Sequence, residues 1–374
     1  MAHRSFYPFA KPLNEQMQTL KCRMQAHLPI VDRISYAKYI PQQGLLTSFA
    51  ESIGDNGCLP HYEAPLSKLP RLKAAAQSAT PHIIDNLKVV AHSPRVRSLL
   101  QRGYCSSAAI PCYESHDFTG FIFLNSVQPN AFTLAQLNPL KPYFDMVQYA
   151  IESELNVVQA IEFLAGRIQC HLPGYTPQVY SHTRRITLYA RLIAKELAQR
   201  YQFSDEVVEQ IGLFAQYHAL SDISLHPDIV CRRKGLNNEQ EAILKSHMDE
   251  CVEAADGIIE RIGNPVHPSV ILFNQIIAYQ YENLDGSGYP YGVQQDLIPV
   301  PARIVAVANV FDVMTTHHPD REASSITSAL LDLEKLVYQG ALSLECVDAL
   351  RGHQAYLKEV LNKYPEYSLG FGAR

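Results

Sequence analysis

The chain has 374 residues, 47% of them apolar and 18% charged, which is the balance of packed domains rather than of a disordered polymer, and its length exceeds what one core usually spans. A net charge of -5 at pH 7 gives no general attraction for a polyanion, and the tightest basic cluster, Arg232, Arg233 and Lys234, is too small to suggest DNA binding. No run reaches the roughly 18 apolar residues of a membrane span, and the first residues lack the apolar core of a signal peptide. A cytoplasmic protein without membrane association is therefore expected.

The eight cysteines (22, 58, 105, 112, 170, 231, 251 and 346) are scattered without a CxxC pair. That spacing suits buried free thiols better than a zinc knuckle or a disulfide framework.

The first 130 residues mix helical segments with stretches punctuated by Pro and Gly and then turn strand-like. SSAAIPCYESHDFTGFIFLNSV reads as a hairpin of two strands, 108–113 and 120–126, joined by a polar turn over 114–117. Its His116 and Cys112 read more readily as ordinary hairpin residues than as metal or haem ligands. From Leu140 the apolar residues recur at steps of three and four through Phe144, Val147, Ile151, Leu155, Val158, Ile161 and Ala165. This predicts one long amphipathic helix over about 140–165, with Pro142 tolerated in its first turn. The helix links two domains and cannot bury its whole length in either, so part of its stripe is expected to be a seam for a second copy of the chain, giving a homodimer.

Beyond Gly166 the pattern is almost wholly helical, with HTRRITLYARLIAKELAQRY and SDEVVEQIGLFAQYHAL the clearest cases. Ser204 ahead of Glu206 and Val207 reads as a capped start. The expected domains are 1–165 and 166–374.

The hairpin FIFLNS followed by PNAFTLAQLNPLKPYF resembles the end of a GAF domain. That resemblance implies an α+β sensor domain, an antiparallel sheet with helices and a pocket for a small ligand whose identity the sequence does not give.

In the second half, His182 (SHTRR), His218 (QYHALSD) and His247 (LKSHMD) fall in separate segments. Ligands drawn from several helices are how an all-α bundle builds an internal metal site. Together with the stretch around Asp285, these segments resemble the HD-GYP family, all-α metal-dependent phosphodiesterases acting on cyclic dinucleotides, chiefly cyclic di-GMP. The family's HSxRV segment is present as HTRRI, HDIGKIxIPDxIL as HALSDISLHPDIV, LTxEExxxMKxH as LNNEQEAILKSH, HHExxDGxGYPxG as QYENLDGSGYPYG, and ARIVAVADVFDALT as ARIVAVANVFDVMT.

The departures fall where the family holds its metals. Ala219 stands at the aspartate of the HD pair, Asp222 at the following lysine, Gln280 and Tyr281 at the double histidine, and Asn309 at the last ligand aspartate. Paired metals activate water and neutralise phosphodiester oxygens, and a pair roughly 3.5–4 Å apart needs an anionic bridge. The resemblance assigns that bridge to the position of Ala219, which offers no oxygen. The expected cofactor is none, or one divalent metal (Fe, Mn or Zn) on His182, His218 and His247. Asp222 could complete that set if the helix carrying His218 continued through ALS, since residues four apart then share a face; Ser221 and Asp222 read equally as a turn.

His317 and His318 precede a proline and read as exposed. Asp312 and Arg321 read as residues fixing a helix end. The loop residues Asp285, Gly286, Gly288, Tyr289 and Pro290 read as a rigid turn, or, by the resemblance, as a contact for a GGDEF-domain protein. Three functions follow: a non-catalytic cyclic di-GMP signalling module that works by binding or dimerisation, an active phosphodiesterase with a reduced metal site, or a one-metal HD-superfamily phosphohydrolase.

Overall fold

The computed structural model describes residues 11–52, 59–172, 177–221, 225–263, 265–317 and 322–365. The chain divides into two units, Met1–Asn156 with Ser204–Glu206, and Val157–Phe203 with Val207–Arg374.

The first unit contains α1 (Leu13–Gln25), β1 (Arg33–Ile40), β2 (Leu45–Glu51), β3 (Glu63–Pro65), α2 (Pro70–Ser78), β4 (His82–Ile84), α3 (Pro94–Gln101), β5 (Ser106–Glu114), β6 (Asp117–Ser126), α4 (Leu134–Leu137) and the first half of α5 (Lys141–His171). The strands form one antiparallel sheet in the order β3-β2-β1-β6-β5-β4. Alternation divides the sheet residues between two faces. Ile34, Tyr36, Ala108, Ile122 and Leu124 share a core with Leu13, Met17 and Met24 of α1 and Phe144, Val147 and Ile151 of α5.

The β5–β6 hairpin is longer and tighter than the sequence suggests. Glu114 pairs with Asp117, and only Ser115 and His116 lie between them, both with positive φ (47° and 84°). Two left-handed residues give the twist that suits a two-residue hairpin. His116 is exposed at this turn, and Cys112 is buried in the α1/α5 core. Helix α5 runs to His171, past the end expected near 165, and Pro142 is its second residue. Strands β1 and β2 went unread within the mixed opening region.

The second unit is helical: α6 (Pro177–Tyr201), α7 (Asp205–Ala215), α8 (Pro227–Arg232), α9 (Asn238–Ile262), α10 (Pro268–Tyr279), α11 (Val300–Thr315), α12 (Ile326–Tyr338), α13 (Leu344–Arg351) and α14 (Gln354–Lys363). Helix α11 is apolar on nearly all sides and buried from Ile304 to Thr315, as a central helix must be. It packs against α6, α10 and α12, with Phe311 meeting Tyr189 edge-on at 5.1 Å. The LNNEQ motif starts α9 with a capping box: Asn237 Oδ1 accepts from the Gln240 amide (2.9 Å), and Gln240 Oε1 accepts from the Asn237 amide (3.1 Å). Two orphan donors of the first turn are thereby satisfied.

The first unit is thus α+β, built on an antiparallel six-stranded sheet with helices, and the second is all-α. Among the described residues, no helix is long and apolar enough to cross a membrane. The thiols are less uniformly buried than expected. Cys112, Cys231, Cys251 and Cys346 are buried, but Cys22 and Cys170 are exposed, because they fall on the outward faces of α1 and α5. Cys58 lies outside the described residues.

Candidate functional site

Two helices of the helical unit meet at one buried carboxylate. Helix α6 carries His182 and Arg185 three residues apart, hence on one face, and α11 carries Asp312. Arg185 Nε donates to Asp312 Oδ1 (2.6 Å), Arg185 Nη2 donates to Oδ2 (2.9 Å), and His182 Nδ1 lies 2.7 Å from Oδ2. Burial alone would raise the Asp312 carboxyl, but the Arg185 guanidinium and the His182 bond overcome it and hold the group below its ordinary value. Asp312, in the last turn of α11, therefore holds His182 and Arg185 of α6 with its carboxylate rather than capping its own helix; Arg321 lies outside the described residues. The readable signal was an acid inside the apolar run VAVANVFDVMT, since a buried carboxylate demands a partner.

His218 meets His182 from a different element. Helix α7 stops at Ala215, so His218 stands in the turn beyond it. The helical face that His218 was to share with Asp222 does not form, and Asp222 itself lies outside the described residues. The Nε2 atoms of His182 and His218 are 3.4 Å apart. His218 Nδ1 lies 3.1 Å from the Ala215 carbonyl, which can only accept, so Nδ1 carries the proton. Burial, reinforced by His182, pushes the His218 imidazole down to about 3 and keeps it neutral. His182 Nδ1 faces a carboxylate and donates in the same way. The Nε2 lone pair of the His218 ring therefore points at His182 Nε2.

The remaining family positions are occupied differently. His247 is buried on α9, with its Nε2 3.7 Å from Cys251 Sγ and its ring edge-on to Tyr281 at 6.0 Å. Burial pushes the Cys251 thiol up to about 12, so it stays protonated and can donate to that nitrogen. The Gln280 side-chain amide donates to the His218 carbonyl, while its Oε1 is buried without a partner. Tyr281 packs with Ile229, Leu244, Met248 and half-buried Tyr289, beneath the Arg233 guanidinium at 5.5 Å. Burial raises the Tyr281 hydroxyl, which accepts a long bond from Asn309 Nδ2 (3.5 Å). Ala219 offers no donor. Among the described residues, no three His, Cys, Asp or Glu side chains converge as a group able to hold a metal ion.

The loop after Tyr281 is folded onto its own chain. Asp285 forms an ion pair with Lys234, accepts from Ser287 Oγ (2.7 Å), and donates its amide to the Gly340 carbonyl (3.0 Å). Gly286 bonds back to the Asn283 carbonyl at 2.8 Å. A Cβ on Gly288 would lie 2.2 Å from the Asn283 nitrogen, so only glycine allows this approach. The Tyr289–Pro290 peptide is cis. Arg233 Nη2 donates to the carbonyls of Gln280 (2.7 Å) and Glu282 (3.0 Å), which ties the loop's entry to α8. Arg233, part of the basic cluster too small for DNA binding, is thus a buried residue of this loop's anchor. His317 is exposed and pairs with Glu322 at 3.4 Å, and His318 lies outside the described residues.

Residues 172–340 match the family model described as an HD domain. Over 182 residues the chain is 31% identical to the cyclic di-GMP phosphodiesterase response regulator RpfG of Xanthomonas campestris, covering 48% of this chain and 44% of that protein. It is 29% identical to a cyclic di-GMP phosphodiesterase of Thermotoga maritima (42% and 40% covered) and 28% identical to the 3'3'-cGAMP-specific phosphodiesterase 3 of Vibrio cholerae (51% and 37%). The chain spans less than half the length of these curated relatives. Among solved structures, a GAF domain/HD domain protein from Geobacter sulfurreducens matches with 14% identity and a TM-score of 0.30, over 38% of this chain and 92% of that one. Residues 172–340 are thus similar to an HD domain and to the matching parts of cyclic dinucleotide phosphodiesterases.

Proposed function

We propose that this protein is a cyclic di-GMP signalling component whose helical domain regulates or binds rather than hydrolyses. The single observation that carries this reading is the fate of the metal-holding positions. Ala219 has no oxygen with which to bridge two cations, the Gln280 amide nitrogen is spent on a backbone carbonyl, and Tyr281 is a buried phenol packed among apolar side chains. The Asp312 carboxylate is engaged by Arg185 and His182. A paired-metal centre does not fit these residues, because it requires an anionic bridge and hard or imidazole donors on both ions. The cyclic dinucleotide, and a GGDEF-domain partner at the Tyr289 loop, enter this reading by analogy with the family. So does a homodimer through α5, whose Met146, Tyr149 and Phe163 are exposed.

A second reading has one specific observation behind it. Two imidazole nitrogens bound to one tetrahedral ion at about 2.0–2.1 Å lie about 3.3–3.4 Å apart, and the facing Nε2 atoms of His182 and His218 have that spacing. This spacing supports a one-metal phosphohydrolase. Elemental analysis of protein purified from cells supplied with Mn, Fe and Zn separates the cases. The regulatory reading expects far less than one metal per chain, the second reading expects about one, and about two per chain would overturn both.

A further inference from the structure

The sheet of the first unit has a second face, and its residues are small. Ser35 and Ala37 on β1, Ser107 and Ala109 on β5, and Ser48 on β2 line a cavity of about 590 Å³. The register puts Ser35 and Ala109 both against Phe123, and Ser107 against Asn125. Large residues on the opposite face fill the α1/α5 core, whereas these short side chains leave the space between sheet, α2 and α3 open. The volume falls in the range of roughly 300–1,000 Å³ typical of small-molecule sites. Apolar walls come from Leu46, Leu69, Leu72, Val96 and Leu99.

The charge of the cavity is one-sided. Between Leu66 and Cys105, the segment that builds its roof, seven Lys and Arg residues face a single acid, Asp85, in a chain whose net charge is -5. Lys68, Arg71, Arg95, His82 and His92 line the cavity, and no Asp or Glu among the described residues does. Arg33 at the floor is neutralised, since its guanidinium pairs with Glu51 and also donates to Asn125 Oδ1 (2.7 Å). Arg95 has no such counterion. Its Nη1 donates to the Pro60 carbonyl (2.7 Å), its guanidinium lies 6.0 Å from the Tyr62 ring centre, and no described carboxylate comes within ion-pair distance. Burial and the neighbouring Arg33 lower the Arg95 guanidinium to about 10, against the more distant Glu51 and Asp205 carboxylates, which leaves it charged at neutral pH. A half-buried guanidinium with no carboxylate in contact presents a planar, two-point match to a carboxylate or phosphate.

We infer that this cavity binds a small organic anion, its apolar or aromatic body on the strand floor and its carboxylate or phosphate on Arg95, with Arg71 and Lys68 contributing at the mouth. The inference does not depend on whether residues 172–340 hydrolyse anything.

Calorimetry on the full chain tests it with three probes of one shape: 2-naphthoate, 2-naphthyl phosphate and the neutral 2-naphthalenemethanol. The chain has no tryptophan, so naphthalene fluorescence gives an independent readout. At least one anion is expected to bind about tenfold or more tighter than the alcohol, with Arg95→Gln removing that difference and Arg95→Lys retaining part of it. Binding of the carboxylate alone or of the phosphate alone would identify the headgroup. Arg71→Gln, at an exposed position, should weaken the anion several-fold and keeps the test readable should Arg95→Gln fail to fold. Equal binding of the alcohol, no binding of any probe, or unchanged anion affinity in both variants would overturn the inference. Each of these outcomes leaves the metal analysis of the helical domain untouched.

Discussion

The Nε2 atoms of His182 and His218 face each other at 3.4 Å, on rings whose Nδ1 atoms are already committed to Asp312 and to the Ala215 carbonyl. Two ring nitrogens at that distance attract only through a proton or a cation held between them. On the proposed reading, this pair is what the cluster retains of a metal site.

The buried, neutral state of His218 makes stability depend on pH. Its folded value is lowered from 6.5 to about 3, so below pH 6.5 the unfolded chain takes up a proton that the folded chain refuses. Stability from this group is complete above pH 6.5 and falls on acidification, by up to about 1.4 kcal/mol per pH unit, until the folded value is reached. Urea unfolding at pH 7, 6, 5 and 4 should show this slope, and His218→Gln should flatten it. Identical slopes in the two proteins would mean that His218 titrates as an exposed histidine does.

Asp312 holds two cationic or proton-donating partners in a fully buried place. Asp312→Asn takes the carboxylate away from the buried Arg185 guanidinium, and the expected loss is about 3–5 kcal/mol. Its own contribution has the opposite origin from that of His218 but the same direction: a depressed carboxyl stabilises above its unfolded value and is lost as pH falls through the folded one. Denaturant midpoints of Asp312→Asn and of the double change Asp312→Leu with Arg185→Met check the argument. The double variant should be the more stable of the two.

Tyr281 now belongs to the core, so restoring a ligand there has a structural cost. Tyr281→Ala should lose about 3–5 kcal/mol through the cavity left among Leu244, Met248 and Tyr289. Tyr281→His should lose less, and should not raise metal content unless Ala219→Asp, Gln280→His and Asn309→Asp accompany it. Thermal unfolding and elemental analysis of the single and fourfold variants give both readouts.

Gly288 permits its loop to lie against the backbone of Glu282 and Asn283. Gly288→Ala forces that backbone apart and should cost at least the roughly 1–3 kcal/mol of an overpacked site. Gly235→Ala offers a contrast. Its Cβ meets nothing within 4 Å, although its φ of 66° is left-handed, so only the smaller conformational cost of about 1 kcal/mol is expected there. Melting temperatures of the two variants should differ by several degrees.

The legible part of this structure was the part with strong periodicity or fixed motif order. The helical second half, the long helix and the His182 to Asn309 positions could all be named from the sequence, because helix spacing and loop glycines leave local marks. Strands β1 and β2 could not, since RISYAKYI and LLTSFAE mix polar residues into both faces: one face lines a cavity rather than a core, so Ser35, Ala37 and Ser48 break the expected alternation. The turn after α7 was likewise hidden, because QYHAL continues an apolar helical pattern that the chain abandons at Ala215. The cavity's basic side has no local mark either, because Lys68, Arg71 and Arg95 are spread along the chain and line one space only in the folded unit.

The most direct test of the proposed loss of hydrolysis is single-turnover assay of the full chain, loaded anaerobically with Fe(II) or with Mn(II), against cyclic di-GMP and 3'3'-cGAMP. The regulatory reading predicts that no linear dinucleotide forms above the no-protein control with either metal. Linear product whose formation is abolished by His218→Ala would contradict it.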